Sequence, residues 1–154
     1  KGGKIWNQAP YPLMIIPNAN LSYTIREESF ELMTPMEFVL DSHATWDISY
    51  YMNGLIFNRT PLLKKLNFRE VVTFKGVWGS TMDCNIPNVN NTGDIYLYPK
   101  NVIATNMTTP YMEIGFGIEN ILKFGRIDYY RRLSYKDTPG VSTPGIRIAV
   151  HAQF

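Results

Sequence analysis

The sequence predicts an all-β fold: an antiparallel meander of about five or six strands, forming part of a transmembrane β-barrel. Three observations predict it. Apolar residues recur at every second position in most segments, which is the strand period. Long and short connections alternate along the chain. The composition is 45% apolar, 14% aromatic and only 18% charged, the opposite of a disordered chain. No run of about 18 apolar residues is present, so a membrane-spanning helix is excluded, but a barrel strand needs only about 9–11 alternating residues.

The elements follow in order. Residues 1–20 are broken by Pro10, Pro12 and Pro17 and read as turn or irregular chain, with a weak strand at 21–26. Residues 44–57 place Trp46, Ile48, Tyr50, Met52 and Ile56 opposite Thr45, Asp47, Ser49, Tyr51 and Asn53. Helical spacing is scarce; PLLKKLNF at 61–68 allows two turns at most, and 27–32 is a second short candidate. Residues 69–79 set Val72, Phe74 and Trp78 against Val71, Thr73, Lys75 and Val77. The stretch 81–110 is polar, rich in Asn, Thr and Pro, and reads as one long extracellular loop.

Residues 111–120 (YMEIGFGIEN) put Met112, Ile114, Phe116 and Ile118 on one face, with Glu113, Gly115, Gly117 and Glu119 on the other. Carboxylates and glycines suit a face that looks into a polar lumen and a sheet that bends. Residues 126–135 alternate Ile127, Tyr129, Leu133 and Tyr135 against Asp128, Tyr130, Arg132 and Ser134. Arg131 falls on the apolar side and fits there only near an interface, where a long side chain can snorkel. Pro144-Gly145 opens the last strand, in which Ile146, Ile148, Val150, Ala152 and Phe154 share one face.

Two faces emerge. Trp46, Ile48, Tyr50, Phe74, Trp78, Ile114 and Phe116 form a candidate lipid face, with aromatic residues near strand ends as in an interfacial girdle. Asp47, Glu113, Glu119, Asp128 and Arg132 form a candidate lumen face whose charges pair across a polar interior. Loop lengths agree with this arrangement. With the C-terminus in the periplasm, 136–144 and 81–110 lie outside, and 121–125 and 58–68 lie inside. The long loops are then extracellular, as barrels require. Alternation alone fits a soluble sandwich equally well, for example a carbohydrate- or protein-binding module. In that case the apolar face packs against a second sheet.

Other chemistry is thinly represented. A net charge of +2 gives no reason to expect nucleic acid. A single cysteine, Cys84, excludes an internal disulfide framework. His43 and His151 are far apart and lack ligand-spaced partners, so no metal or other cofactor is expected. GFGIEN has two glycines at phosphate-loop spacing but no helix start after them. Glu113 and Glu119 have the residue type of a glycosidase acid pair, although lumen charges are the commoner explanation. No catalytic group is assigned. Lys1 does not follow a leader and reads as a cut end.

Several motifs also resemble a known family. PYPLM at 10–14, FELMTPMEFV at 30–39, NGLIFNRTPLLKKLNFREVVTFKGVWG at 53–79 and YMEIGFGIENILKFGRIDYYRRLSY at 111–135 occur in the order seen there. The family is the large Gram-negative outer-membrane proteins with an N-terminal carboxypeptidase-regulatory-like domain and a C-terminal barrel of unassigned function. The run GFGIEN…GRIDYYRRL is distantly similar to the last strands of BamA-type surface-antigen barrels. The resemblance implies residence in the cell outer membrane and origin in the C-terminal portion of a longer chain. It implies as partners the lipid bilayer, the outer-membrane assembly machinery and the remaining strands of the same barrel. It also makes the terminal pattern Ile146, Ile148, Val150 and Phe154 an assembly signal. The Arg-Gly motif that BamA-type barrels carry on a loop folded into the lumen has no counterpart in this sequence.

Overall fold

A computed structural model of the chain describes residues 1–59, 61–87, 107–138, 140–141 and 143–150. Six strands make one antiparallel sheet in sequence order: β1 (Gly2–Lys4), β2 (Ser42–Tyr51), β3 (Arg69–Ser80), β4 (Tyr111–Ile121), β5 (Gly125–Arg132) and β6 (Gly145–Val150). The sheet is an open meander; β1 and β6 are its edges and do not pair with each other. A one-turn helix, α1 (Pro61–Lys64), sits in the connection between β2 and β3.

The registers explain the two faces. Trp46, Ile48 and Tyr50 stand opposite Gly76, Phe74 and Val72 on β3. Phe74 and Val72 in turn stand opposite Ile114 and Phe116 on β4. Cross-strand partners share a face, so the apolar positions of four strands align in rows. The expected strands are present; β3 and β4 keep their expected limits to within a residue, and β2 and β5 end early. β2 stops at Tyr51, because Asn53 and Gly54 take positive φ and turn the chain. Glu70 Oε1 then accepts the Ile56 and Phe57 N–H groups at 3.0 and 2.7 Å, which fixes that turn. β5 ends at Arg132, short of the expected Tyr135.

The helical readings and the weak strand at 21–26 are corrected. The helical reading of 61–68 shrinks to the single turn of α1, and 27–32 is not helical. The weak strand at 21–26 is not a member of the meander; the remaining strand is β1. Residues 23–25 instead form one parallel bridge to the outer edge of β6, with Ile148 N–H on Tyr23 O at 2.8 Å and Ile25 N–H on Ile148 O at 3.1 Å. The glycines of β4 also make room for side chains of the neighbouring strand. Gly115 faces Tyr130 and Gly117 faces Asp128 in register, and a Cβ at either position would collide with that side chain. The tail 151–154 and most of the 81–110 loop lie outside the described residues.

The core lies on the side that the alternation assigned to the lumen. Residues 5–41, between β1 and β2, fold back over that face. Phe38, Val39 and Leu40 are completely buried. Phe30, Met33, Phe38 and Leu40 pack with Val77, Met107 and Tyr111. The rings of Phe30 and Phe38 meet Tyr111 edge-on at 5.4 and 5.7 Å, a favourable quadrupole arrangement. Residues 5–41 hold their path by bridges of their own, Ile15 with Leu40 and Ala19 with Phe30.

Candidate functional site

The most organised chemistry in the molecule is the contact between segment 5–41 and the inward face of the sheet. Alternation places Lys75 on β3, Glu113 on β4, Arg126, Asp128, Tyr130 and Arg132 on β5, and Arg147 on β6 toward one side. These groups lose water when segment 5–41 covers them, so each needs a partner.

The partners are present. Glu113 takes the Glu31 N–H at 2.7 Å, the Leu32 N–H at 3.0 Å and the Tyr111 hydroxyl at 2.9 Å. Its two oxygens therefore hold the backbone of the covering segment. Arg132, wholly buried, donates to both oxygens of Glu37, to Ser134 O at 2.9 Å, and lies 4.6 Å over the Tyr111 ring. Glu31 is the hub of a second group: Asn20 Nδ2 donates to it at 2.5 Å, Arg147 Nε at 3.2 Å, and Lys75 Nζ stands at 3.7 Å. Lys75 also donates to Ser29 O at 2.8 Å and lies 3.6 Å from Asp47. A third group stays within the sheet. Arg126 grips Asp128 with two bonds, at 2.7 and 2.6 Å, and reaches Glu119 at 2.7 Å. Bidentate arginine–carboxylate pairs of this kind are strong and fix orientation.

All five residues of the expected lumen face, Asp47, Glu113, Glu119, Asp128 and Arg132, sit on this one side. Their partners differ from the expectation. The Arg126 group and the Asp47–Lys75 pair lie within the sheet, while Glu113 and Arg132 engage segment 5–41. Sequence reasoning did not single out Glu31, Glu37 or Asp41. The signal was available: FELMTPMEFVLD is strongly apolar without either period, yet has acids embedded in it. Buried acids in such a run need partners: Glu31 and Glu37 meet cations, and Asp41 takes the Met82 N–H and the Asn85 amide. A folded-in segment is thus present without an Arg-Gly motif. Here the segment supplies carboxylates and the sheet supplies the guanidinium groups.

The opposite face has the reverse character. Ile48, Trp78, Phe116 and Ile146 are each more than half exposed, and Val150 is 71% exposed. Trp46, Phe74 and Ile114 are half-buried by their neighbours in the sheet; the Trp46 and Phe74 rings lie 6.4 Å apart. Among the described residues no second sheet covers this side. Arg131 is exposed on it, opposite Ile114 and next to the end of β5.

The remaining candidates separate. Glu113 and Glu119 are six residues apart on one strand, about 20 Å by strand rise, too far for a pair of acids on one glycosidic bond. Gly115 and Gly117 are interior to β4, not in a phosphate-binding loop. Cys84 is exposed, and His151 lies outside the described residues. Among the described residues no cluster of three or more His, Cys, Asp or Glu is placed to hold a metal ion. A cavity of about 770 Å³ lies between segment 5–41 and the inward face, bounded by Asn18, Glu27, Phe30, Asp47, Thr73 and Lys75. No helix is long and apolar enough to cross a membrane, which says nothing of strands.

Comparison with protein-family models, curated proteins and solved structures finds no match for the chain. The family likeness rests on the quoted motifs.

Proposed function

We propose that the chain is a structural, non-enzymatic segment of a β-barrel in the cell outer membrane, contributing wall strands and a lumen-filling segment. The observation that carries the reading is the inverted distribution of polarity. Charged side chains are buried and ion-paired on the covered face, while rows of Ile, Phe, Tyr and Trp are exposed on the other. Water disfavours that arrangement and lipid favours it, because in a bilayer the apolar face is the solvated one.

Further observations support it. β2, β3 and β4 contain 10, 12 and 11 residues, close to the length of a tilted barrel strand. The meander puts connections 5–41, 81–110 and 133–144 at one end, and 52–68 with the tight Leu122–Phe124 turn at the other. Edge β1 leaves room for a further strand of the same barrel, while residues 23–25 take the outer edge of β6 at Ile148. In this reading Trp46, Ile48, Tyr50, Phe74, Trp78, Ile114 and Phe116 meet lipid. Ile146, Ile148, Val150 and Phe154 guide the terminal strand into the assembly machinery. The rival, a soluble all-β binding module, needs a covering layer on the exposed face.

The test is membrane fractionation and heat-modifiable gel mobility of the full-length protein, with and without Phe154. The expected result is an outer-membrane band whose mobility changes on boiling, and less of it without Phe154. A soluble protein of unchanging mobility overturns the reading.

A further inference from the structure

The end of the sheet that carries connections 52–68 and 122–124 has a composition found nowhere else in the chain. Arg59, Lys64, Lys65, Arg69 and Lys123 fall in or beside these connections, and residues 52–69 and 122–124 contain no Asp or Glu. All five side chains are exposed. None of them has an ion-pair partner among the described residues. The nearest acids are committed elsewhere: Glu119 to Arg126, and Glu70 to the backbone at 56–57.

The same end exposes large apolar side chains. Leu55, Ile56, Leu66, Leu122 and Phe124 are each more than half exposed. The two connections form one surface, because Asn120 Nδ2 donates to Asn67 O at 2.8 Å and β3 lies beside β4. The turn is informative in itself. Leu122 and Lys123 have φ of +53° and +75°, a geometry that two-residue hairpins normally fill with Asn-Gly. Here an exposed leucine and an exposed lysine occupy it against that preference. Residues held in an unfavourable conformation cluster where a side chain has a task.

We propose that this end of the sheet binds the anionic phospholipid headgroups of the bilayer surface, with the lysines and arginines on phosphate and the leucines and Phe124 in the acyl boundary. The proposal rests on the barrel reading and adds the chemistry of one leaflet. Charge complementarity selects the occupant: five unpaired cations and no acid suit a polyanionic surface. The patch is also continuous with the apolar outward face through Ile118, Ile127 and Tyr50, each exposed at the same end.

The experiment uses the full-length protein refolded from detergent into two kinds of vesicle. One is phosphatidylcholine alone; the other is about one third phosphatidylglycerol. Heat-modifiable mobility reports insertion, and a quadruple variant carries Arg59→Gln, Lys64→Gln, Lys65→Gln and Lys123→Gln. Association of the unsubstituted protein with anionic vesicles is expected to exceed that with neutral ones on the order of 10²-fold at low salt. The preference should vanish in the quadruple variant and at high ionic strength. The substituted residues lie on exposed connections, so the variant should keep its heat-modifiable mobility in neutral vesicles. Equal association of the unsubstituted protein with both lipids overturns the proposal and leaves the barrel reading standing. A preference that survives the four substitutions also overturns it. Insertion into neither lipid overturns both.

Discussion

At the scale of the residue, alternation decided most of what could be read, and contacts between sequence-distant groups decided the rest. Tyr130 and Asp128 were placed on the inward side by counting twos. That Gly115 and Gly117 are required beneath them became visible only with the register of β4 on β5. A glycine in a strand pattern signals either a bend or a close approach, and sequence does not separate the two. The 122–124 turn is a case where local preference is overruled. Leu122 and Lys123 each hold a left-handed conformation that Asn and Gly adopt at little cost. Replacing the pair by Asn-Gly should therefore stabilise the hairpin by about 1 kcal/mol. Urea unfolding in neutral vesicles reads the gain; a loss of stability would show that the Leu122 side chain supports the fold. Near this scale also stands Glu28, whose carboxyl is held below its ordinary range by the Lys1 ammonium 2.6 Å away. Both groups are exposed, so the pair adds little.

At the scale of the element, β2 to β6 were legible and segment 5–41 was not. Strands announce themselves by period because each residue has only two sides to choose from. Segment 5–41 has no period. It is shaped by prolines, by short bridges and by the charges beneath it, and none of these leaves a regular trace. Its anchoring gives a direct prediction. Arg132 and Glu37 are both buried, so Glu37→Ala strands a guanidinium without its partner. Breaking one side of such a pair costs about 3–5 kcal/mol. Hydrogen exchange should show segment 5–41 opening far more readily in that variant, with β3 and β4 still protected. Replacing the pair together, Arg132→Met with Glu37→Leu, should restore much of the protection, because matched apolar groups need no partner. If Glu37→Ala left exchange in 5–41 unchanged, Glu113 and the Glu31 group would be the anchors.

At the scale of the whole molecule, the sheet has a covered side, where an apolar core and buried ion pairs meet segment 5–41, and an exposed side that carries apolar rows. The composition hinted at this through few charges and many tyrosines, but composition does not say which side faces out. The environment of the apolar rows across β2 to β5 is what a labelling pattern can test. Cys84 is the segment's only cysteine and lies away from the strands, so Cys84→Ser clears the background for single spin labels. Labels at Ile114, Phe116 and Ile118 follow the outward positions of β4 through its middle. In vesicles each should collide more with oxygen, which concentrates in the acyl region, than with a water-soluble nickel chelate. A label at Lys123 should reverse that ratio toward the aqueous reagent, because that side chain sits among the headgroups. A uniform preference for the nickel chelate along all four positions would mean that the apolar rows face water or another protein, and the wall assignment would fall.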